Sequence, residues 1–342
     1  MHVLNSRIFS GAEKVVCQII TAFAGEVDMV YCSPESGTVG TILASQGISY
    51  RPIPSLTPKN LRSAIERERP DVIHAHDMRA GFVAALCCGG IPLISHIHNN
   101  AMDARGLSPK SLAYLLAGAR ARHIFWVSQA AFEGYRFHRL FARKSSVLYN
   151  IIDTRLIQER LAQDDSSYDF DVIYVGRLTY PKDPQRLMRV CARMKAKKPN
   201  LKVAVVGAGD LEDETKALCK ELGLDDNVSF LGFRENPIKM IRDARVLTLI
   251  SHWEGTPMCV LEAMALGTPV VATPSDGMRE LIDSGISGWL CDTDEALAEK
   301  MLSIIEDPAS RAALAQKASE KFARINDEAS YKAILTRCYL GE

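Results

Sequence analysis

The chain has 342 residues, 47% of them apolar and 24% charged, with 22 glycines and 15 prolines. That composition excludes a disordered or collagen-like protein and leaves material for about two domains. Lys and Arg equal Asp and Glu at 41 each, which argues against a generally basic nucleic-acid binder, and nine cysteines without a Cys-x-x-Cys pair form neither a disulfide framework nor a zinc pattern.

Apolar, β-branched runs alternate with segments of helical length from the start. Strands are expected around His2–Asn5, Val27–Cys32, Ile48–Ile53, Asp71–His76, Pro92–His98, His123–Ser128 and Ser146–Tyr149. Periodic stretches such as Gly11–Phe23 and Lys110–Ala119 lie between them. The longest uncharged stretch, Ala80–Met102, is broken by Gly89, Gly90 and Pro92, so it reads as helix, turn and strand, not a membrane span. The opening does not read as a signal peptide, and the free cysteines fit a reducing compartment, so a cytoplasmic location is expected. A second set of strands follows at Asp171–Gly176, Lys202–Gly207, Val228–Leu231, Val246–Ile250, Pro269–Thr273 and Gly288–Cys291. The polar segment 160–169 between the two sets reads as the linker. Amphipathic helices close the chain from about Asp292. Such alternation predicts α/β architecture with two doubly wound parallel sheets, and ligands at the carboxyl ends of their strands.

The even charge balance conceals an asymmetry. Residues 1–150 carry 16 Lys and Arg against 10 Asp and Glu, a net of +6, and the remainder is −6. Eight basic residues against the single Glu133 lie between Arg105 and Lys144. A solvated helical face explains this as well as a patch that meets an anionic membrane.

Chemistry concentrates at strand ends. In Glu254-Gly255-Thr256-Pro257-Met258-Cys259-Val260-Leu261-Glu262, Pro257 opens a helix, Glu254 precedes it and Glu262 lies about one turn inside. The N–H groups of a helix start suit an anion, and a carboxylate beside them suits sugar hydroxyls. Arg177 and Lys182 follow the strand Asp171–Gly176, a fork and a point charge fitting a diphosphate. Gly11, in Phe9-Ser10-Gly11-Ala12-Glu13, permits close backbone approach at a strand-to-helix turn. Asp169-Phe170-Asp171 and Asp292-Thr293-Asp294 match a cation-binding Asp-x-Asp pattern, yet Arg177 and Lys182 already supply positive charge, and no metal is expected. Gly207-Ala208-Gly209 hints at a dinucleotide turn, but Glu212 stands at the third glycine's place and Asp210, Asp213 and Glu214 would repel a pyrophosphate. His74 and His76 read as facing opposite sides of their strand and not as a metal pair. Trp253 reads as packing or as a wall beside Glu254.

Taken together, Gly11-Ala12-Glu13, Asp71-Val72-Ile73-His74-Ala75-His76, Tyr149-Asn150-Ile151-Ile152-Asp153, Val175-Gly176-Arg177-Leu178, Glu254 to Thr273 and Glu280 to Leu290 resemble the retaining glycosyltransferases of family 4, in order and over almost the whole chain. The resemblance implies a GT-B fold: two facing Rossmann-like doubly wound domains with the active site in the interdomain cleft. It implies an acceptor-binding domain over 1–150, a nucleotide-sugar donor domain over 151–325 and a closing helix over 326–342 that packs back on the first domain. It places Arg177 and Lys182 on the donor diphosphate, Glu262 on the ribose, Glu254 on the donor sugar, and Thr256, Pro257 and Met258 near sugar and phosphate. It places His98 at an active-site strand end, with His96 on the same strand face as the alternative, and Arg234 in a loop framing the base.

The implied reaction moves a sugar from a nucleotide diphosphate donor, UDP first and GDP second, to a saccharide or lipid-linked acceptor, without a cofactor or metal. Cell-surface polysaccharide or lipopolysaccharide synthesis at the inner face of the membrane is the expected setting. A nucleotide-sugar epimerase of the same architecture and a non-catalytic sugar-nucleotide-binding module are the rivals. The chain departs from the family's pattern in its very short first strand, in Ser10 before Gly11 where two glycines are common, and in Ile151 where the linker often has glycine.

Overall fold

The computed structural model describes residues 1–99 and 102–341. It divides into two compact units, one comprising residues 1–150 with the segment from Glu328 onward, the other Ile151–Asp327.

The first unit is built on seven parallel strands: β1 His2–Val3, β2 Tyr31–Pro34, β3 Tyr50–Ile53, β4 Ile73–His76, β5 Leu93–Ile97, β6 His123–Trp126 and β7 Ser145–Val147. Their order is β3-β2-β1-β4-β5-β6-β7. The central strands β1, β2, β4 and β5 are short and buried along their whole length, as parallel strands covered by helices on both faces are, although β1, β4 and β5 carry histidines. One face buries Trp126, Tyr114 and Tyr135 with Ile73, Leu93 and Ile124. The polar tips of those aromatics are satisfied: Ser95 Oγ lies 2.7 Å from Tyr114 Oη, and Tyr135 Oη donates to the Ser111 carbonyl at 2.9 Å. The other face buries Leu4, Phe9, Val16, Tyr31 and Leu43. The closing helix Glu328–Leu340 is tied to this unit by Lys332 Nζ to Glu26 at 2.6 Å and by Tyr339 Oη to His74 Nδ1 at 2.9 Å.

The second unit carries six parallel strands: β8 Val172–Val175, β9 Val203–Val206, β10 Val228–Gly232, β11 Val246–Leu249, β12 Val270–Ala272 and β13 Trp289–Leu290, ordered β10-β9-β8-β11-β12-β13. In each sheet the winding reverses between two central strands, β1/β4 in the first and β8/β11 in the second. In open α/β sheets such a reversal is where loops diverge at the carboxyl ends of the strands and where ligands bind.

Two expectations need correcting. Segment 160–169 is not a free linker. Arg160 lies in the helix Thr154–Ala162 and its carbonyl accepts from Asn236, while Lys239 Nζ bonds the Asp164 carbonyl and Tyr168 N–H donates to Asp243. A polar run can cover a helix end as readily as it can join domains. His74 and His76 do not face opposite sides: their rings stack 4.3 Å apart. Side chains two apart along a strand share a face, since the period is 2.

Candidate active site

The second unit gathers most of the expected residues at its switch point. After β8, Arg177 is exposed and a 3-10 turn, Tyr180–Lys182, swings the chain back. Asp183 ends that turn with φ of 42° and caps the next helix by accepting from the Arg186 N–H at 3.1 Å. The Pro181 carbonyl within the turn accepts from the His252 N–H at 2.9 Å, which ties the turn to the loop after β11. There Lys182 Nζ meets Glu254 Oε1 at 2.5 Å, and Ser251 Oγ donates to the same oxygen at 2.6 Å. Both charges are largely buried, with side-chain exposures of 15% for Lys182 and 8% for Glu254.

Thr256 and Pro257 are buried beside Glu254, and the helix Met258–Leu266 begins directly after them. Pro257 contributes no side-chain cap. The helix start therefore presents N–H groups and positive dipole near a carboxylate and an ammonium. Glu262 is buried inside that helix at 3% exposure. Arg234 is exposed two residues beyond edge strand β10, whose last carbonyl, Gly232 O, accepts from Gly207 N–H at 2.9 Å. Trp253 stands near Tyr180, ring centroids 5.9 Å apart, and Tyr180 lies 4.9 Å from His252.

The Gly207-Ala208-Gly209 turn has a structural role. A Cβ on Gly209 would stand 2.2 Å from the Leu178 carbonyl oxygen, and Leu178 exchanges backbone bonds with Ala208 and Leu211 at 3.0 and 2.9 Å. These glycines let the loop after β9 pack against the loop that carries Arg177. The two Asp-x-Asp runs are likewise engaged with cations. Asp171 and Asp169 pair with Arg245 at 2.8 and 3.0 Å, before β8 and so at the opposite edge of the sheet from Arg177. Asp294 pairs with Arg186 at 2.6 Å.

In the first unit, Gly11 is exposed at the start of the helix Gly11–Ala22. The turn is closed by Glu13, whose Oε2 accepts from Ser10 N–H at 2.9 Å and Ser10 Oγ at 2.7 Å. Burial raises the Glu13 pKa, with the Ser10 hydroxyl pulling it back. His98 lies one residue past the end of β5, whereas His96 sits within the strand, fully buried. The His98 backbone N–H donates to Asp77 Oδ1 at 3.1 Å, and Asp77 itself has φ of 71° directly after β4. Burial pushes His98 down to about 3 and holds His2, His74, His76 and His96 well below the ordinary histidine value.

Sequence reasoning missed Ser251 and Asp77. A serine three residues before Glu254 and an aspartate at a strand-to-helix junction were the available signals.

Comparison with known proteins fits this geometry. The model of Glycosyltransferase Family 4 matches residues 9–156, and that of Glycosyl transferases group 1 matches residues 158–321. The chain belongs to the family 4 glycosyltransferases. It is 33% identical over 182 residues to the N-acetylgalactosamine-N,N'-diacetylbacillosaminyl-diphospho-undecaprenol 4-alpha-N-acetylgalactosaminyltransferase of Campylobacter jejuni, covering 52% of this chain and 49% of that one. It is 30% identical over 250 residues to the uncharacterized glycosyltransferase MJ1607 of Methanocaldococcus jannaschii, covering 65% and 63%. The matches thus span about half to two thirds of these relatives' lengths. Among solved structures, Anabaena Alr3699/HepE in complex with UDP-glucose superposes with a TM-score of 0.86 at 23% identity, covering 100% of both chains. That likeness shows the fold: the two parallel Rossmann-like sheets are of GT-B type.

Proposed function

We propose that this family member is a retaining glycosyltransferase that moves a sugar from a nucleotide diphosphate donor, most readily a UDP-sugar, to a saccharide or lipid-linked acceptor in cell-surface polysaccharide or lipopolysaccharide synthesis. The observation that carries the reading is the cluster of Lys182, Glu254 and Ser251 beside the start of helix Met258–Leu266, with Arg177 on the adjoining loop. Glycosyl transfer breaks the bond between the anomeric carbon and a phosphate oxygen, so negative charge grows on the leaving diphosphate. Arg177, Lys182 and the helix-start N–H groups are fixed donors for that charge, and preorganised donors of this kind are the largest single contribution in many enzymes. Glu254 accepts from donor-sugar hydroxyls and Glu262 from the ribose. With retention, the acceptor oxygen bonds to the same face of the anomeric carbon, and its proton passes to the departing phosphate oxygen. No metal or cofactor takes part.

The first unit receives the acceptor, with His98 and the Gly11 turn as its contribution. The Campylobacter relative's name specifies an undecaprenol-linked acceptor, which favours a lipid-linked one here. Leu107, Leu112 and Leu140 are exposed among Arg105, Arg136, Arg139 and Arg143. Apolar and basic side chains interleaved in this way suit peripheral contact with an anionic leaflet. No described helix is long and apolar enough to cross a membrane.

Thermal-shift titration with UDP, GDP, ADP and dTDP tests the donor site. One nucleoside diphosphate should raise the melting temperature of the wild type and leave Glu262→Ala unmoved, because only a ligand of the folded state stabilises it. No shift with any of the four would overturn the donor assignment.

A further inference from the structure

Five histidines line one face of the first sheet at its switch point: His2 on β1, His74 and His76 on β4, His96 on β5 and His98 just beyond it. The strand register sets His2 opposite His74 and His76 opposite His96. Three of these rings form a directed chain. His2 Nε2 lies 3.3 Å from Met29 Sδ, His2 Nδ1 lies 3.0 Å from His76 Nε2, and His76 Nδ1 lies 2.7 Å from His98 Nε2. A thioether sulfur accepts and cannot donate, so His2 carries its proton on Nε2. A neutral His2 then offers a lone pair at Nδ1, which requires N–H at His76 Nε2. A neutral His76 offers a lone pair at Nδ1, which requires N–H at His98 Nε2. The last ring is left with a bare Nδ1, a buried atom that has no hydrogen-bond partner among the described residues, so an acceptor stands unsatisfied there.

We propose that Met29, His2 and His76 are positioning residues that hold His98 as the neutral Nε2–H tautomer, leaving Nδ1 as an acceptor for a hydroxyl of the substrate. In this arrangement His98 receives a hydrogen bond from a sugar or acceptor hydroxyl and does not donate one. The hydroxyl role rests on the function proposed above; the tautomer does not. Asp77 completes the device by fixing the backbone of His98 through its N–H.

The same rings include two triplets with ligand atoms within 4.8 Å of one another, His2/His74/His76 and His76/His96/His98. Tetrahedral zinc with Zn–N of about 2.05 Å separates its ligand nitrogens by about 3.3 Å. The 2.7 and 3.0 Å contacts are closer than that, and the rings of His74 with His76 and of His96 with His98 lie 4.3 and 4.2 Å apart at 30°. Stacked rings do not converge their lone pairs on one ion, so the cluster is read as a proton-ordering chain.

The test is long-range 1H–15N correlation of the histidine rings in the full-length protein, with His98 assigned by its loss in His98→Gln. The wild type should show His98 with a pyridine-type Nδ1 and a pyrrole-type Nε2. His76→Phe should remove that single-tautomer signature. His74→Phe, which deletes a stacked ring outside the chain, should leave it intact. A pyrrole-type Nδ1 on wild-type His98 overturns the proposal whether or not the variants fold, as does an unchanged His98 signature in folded His76→Phe. Stoichiometric Zn2+ binding that shifts His76 and His98 together would replace it with a metal site. Adding the nucleotide sugar then tests the hydroxyl role separately. An upfield move of the His98 Nδ1 resonance supports it, while an unmoved resonance on bound donor and acceptor overturns that role and leaves the tautomer standing.

Discussion

At the scale of single residues, the Lys182–Glu254 pair changes what substitution should do. Charge and spacing alone make Arg177 and Lys182 equivalent, two basic residues whose removal would stop turnover and leave the fold intact. Burial separates them. Arg177 is exposed, so Arg177→Ala should depress turnover with a melting temperature close to wild type. Lys182→Ala strands a buried carboxylate, and breaking such a pair costs about 3–5 kcal/mol where burial is complete and less where water reaches it. Urea denaturation should therefore show Lys182→Ala clearly destabilised and Lys182→Ala/Glu254→Gln partly restored. Equal stability of the two single variants would contradict the pairing.

The histidines give a second residue-scale prediction. In the folded chain they resist protonation, whereas in the unfolded chain they take up protons near pH 6.5. Below that value the unfolded state binds more protons, so stability is full above about pH 6.5 and falls as the pH drops toward the His98 value of about 3. Each such histidine contributes a slope of up to about 1.4 kcal/mol per pH unit. Denaturant midpoints measured from pH 7.5 to 5.5 should decline steeply, and more gently in His76→Phe. A flat profile would show that these rings are hydrated or protonated in the native protein. The residues were in view from the start, but their shared face was misread, because the alternation of a strand returns every second side chain to the same side.

At the scale of elements, every strand was expected near its observed place, since β-branched runs bounded by turn residues mark buried parallel strands well. Boundaries were less legible. The second strand was expected over 27–32 and is found at Tyr31–Pro34, because Val27 and Asp28 finish the preceding turn region. The glycine loop after β9 was legible as a turn but not as a packing device, since the Leu178 carbonyl that fills the space of its missing Cβ lies some thirty residues away in the chain. Gly209→Ala should push the Arg177 loop aside, because its Cβ would stand 2.2 Å from that oxygen. Backbone overlap of this kind costs about 1–3 kcal/mol, and nucleoside-diphosphate affinity should fall with it. Isothermal titration that finds unchanged affinity would show that the Arg177 loop does not bear on the donor. Gly277 has the same use beside the other half of the site: its Cβ would overlap the Gly255 carbonyl, and its N–H bonds the Glu254 carbonyl at 3.3 Å.

At the scale of the whole molecule, zero net charge conceals a first half at +6 and a second at −6. The structure adds exposed leucines to the basic stretch, which counting charges could not reveal. The full chain should bind vesicles containing anionic lipid at low salt and release them as ionic strength rises, since surface attraction is screened within about 10 Å at 0.1 M salt. Equal binding to neutral and anionic vesicles would contradict the electrostatic part. The residues gathered at the carboxyl ends of β8 and β11 were legible as a group because their motifs are contiguous in the chain. The partnership of Lys182 with Glu254 was not, because it is made by two loops that meet only when β8 and β11 lie side by side.

The measurement that bears most directly on the function is release of nucleoside diphosphate from UDP-, GDP-, ADP- and dTDP-sugars, with and without EDTA, by the wild type and by Glu262→Ala. Acceptor extracts containing lipid-linked saccharides are supplied in parallel. Release from one donor class is expected, accelerated by acceptor, indifferent to EDTA and lost in Glu262→Ala. Conversion of the donor to another nucleotide sugar without acceptor, or no release from any donor with acceptor present, would contradict it.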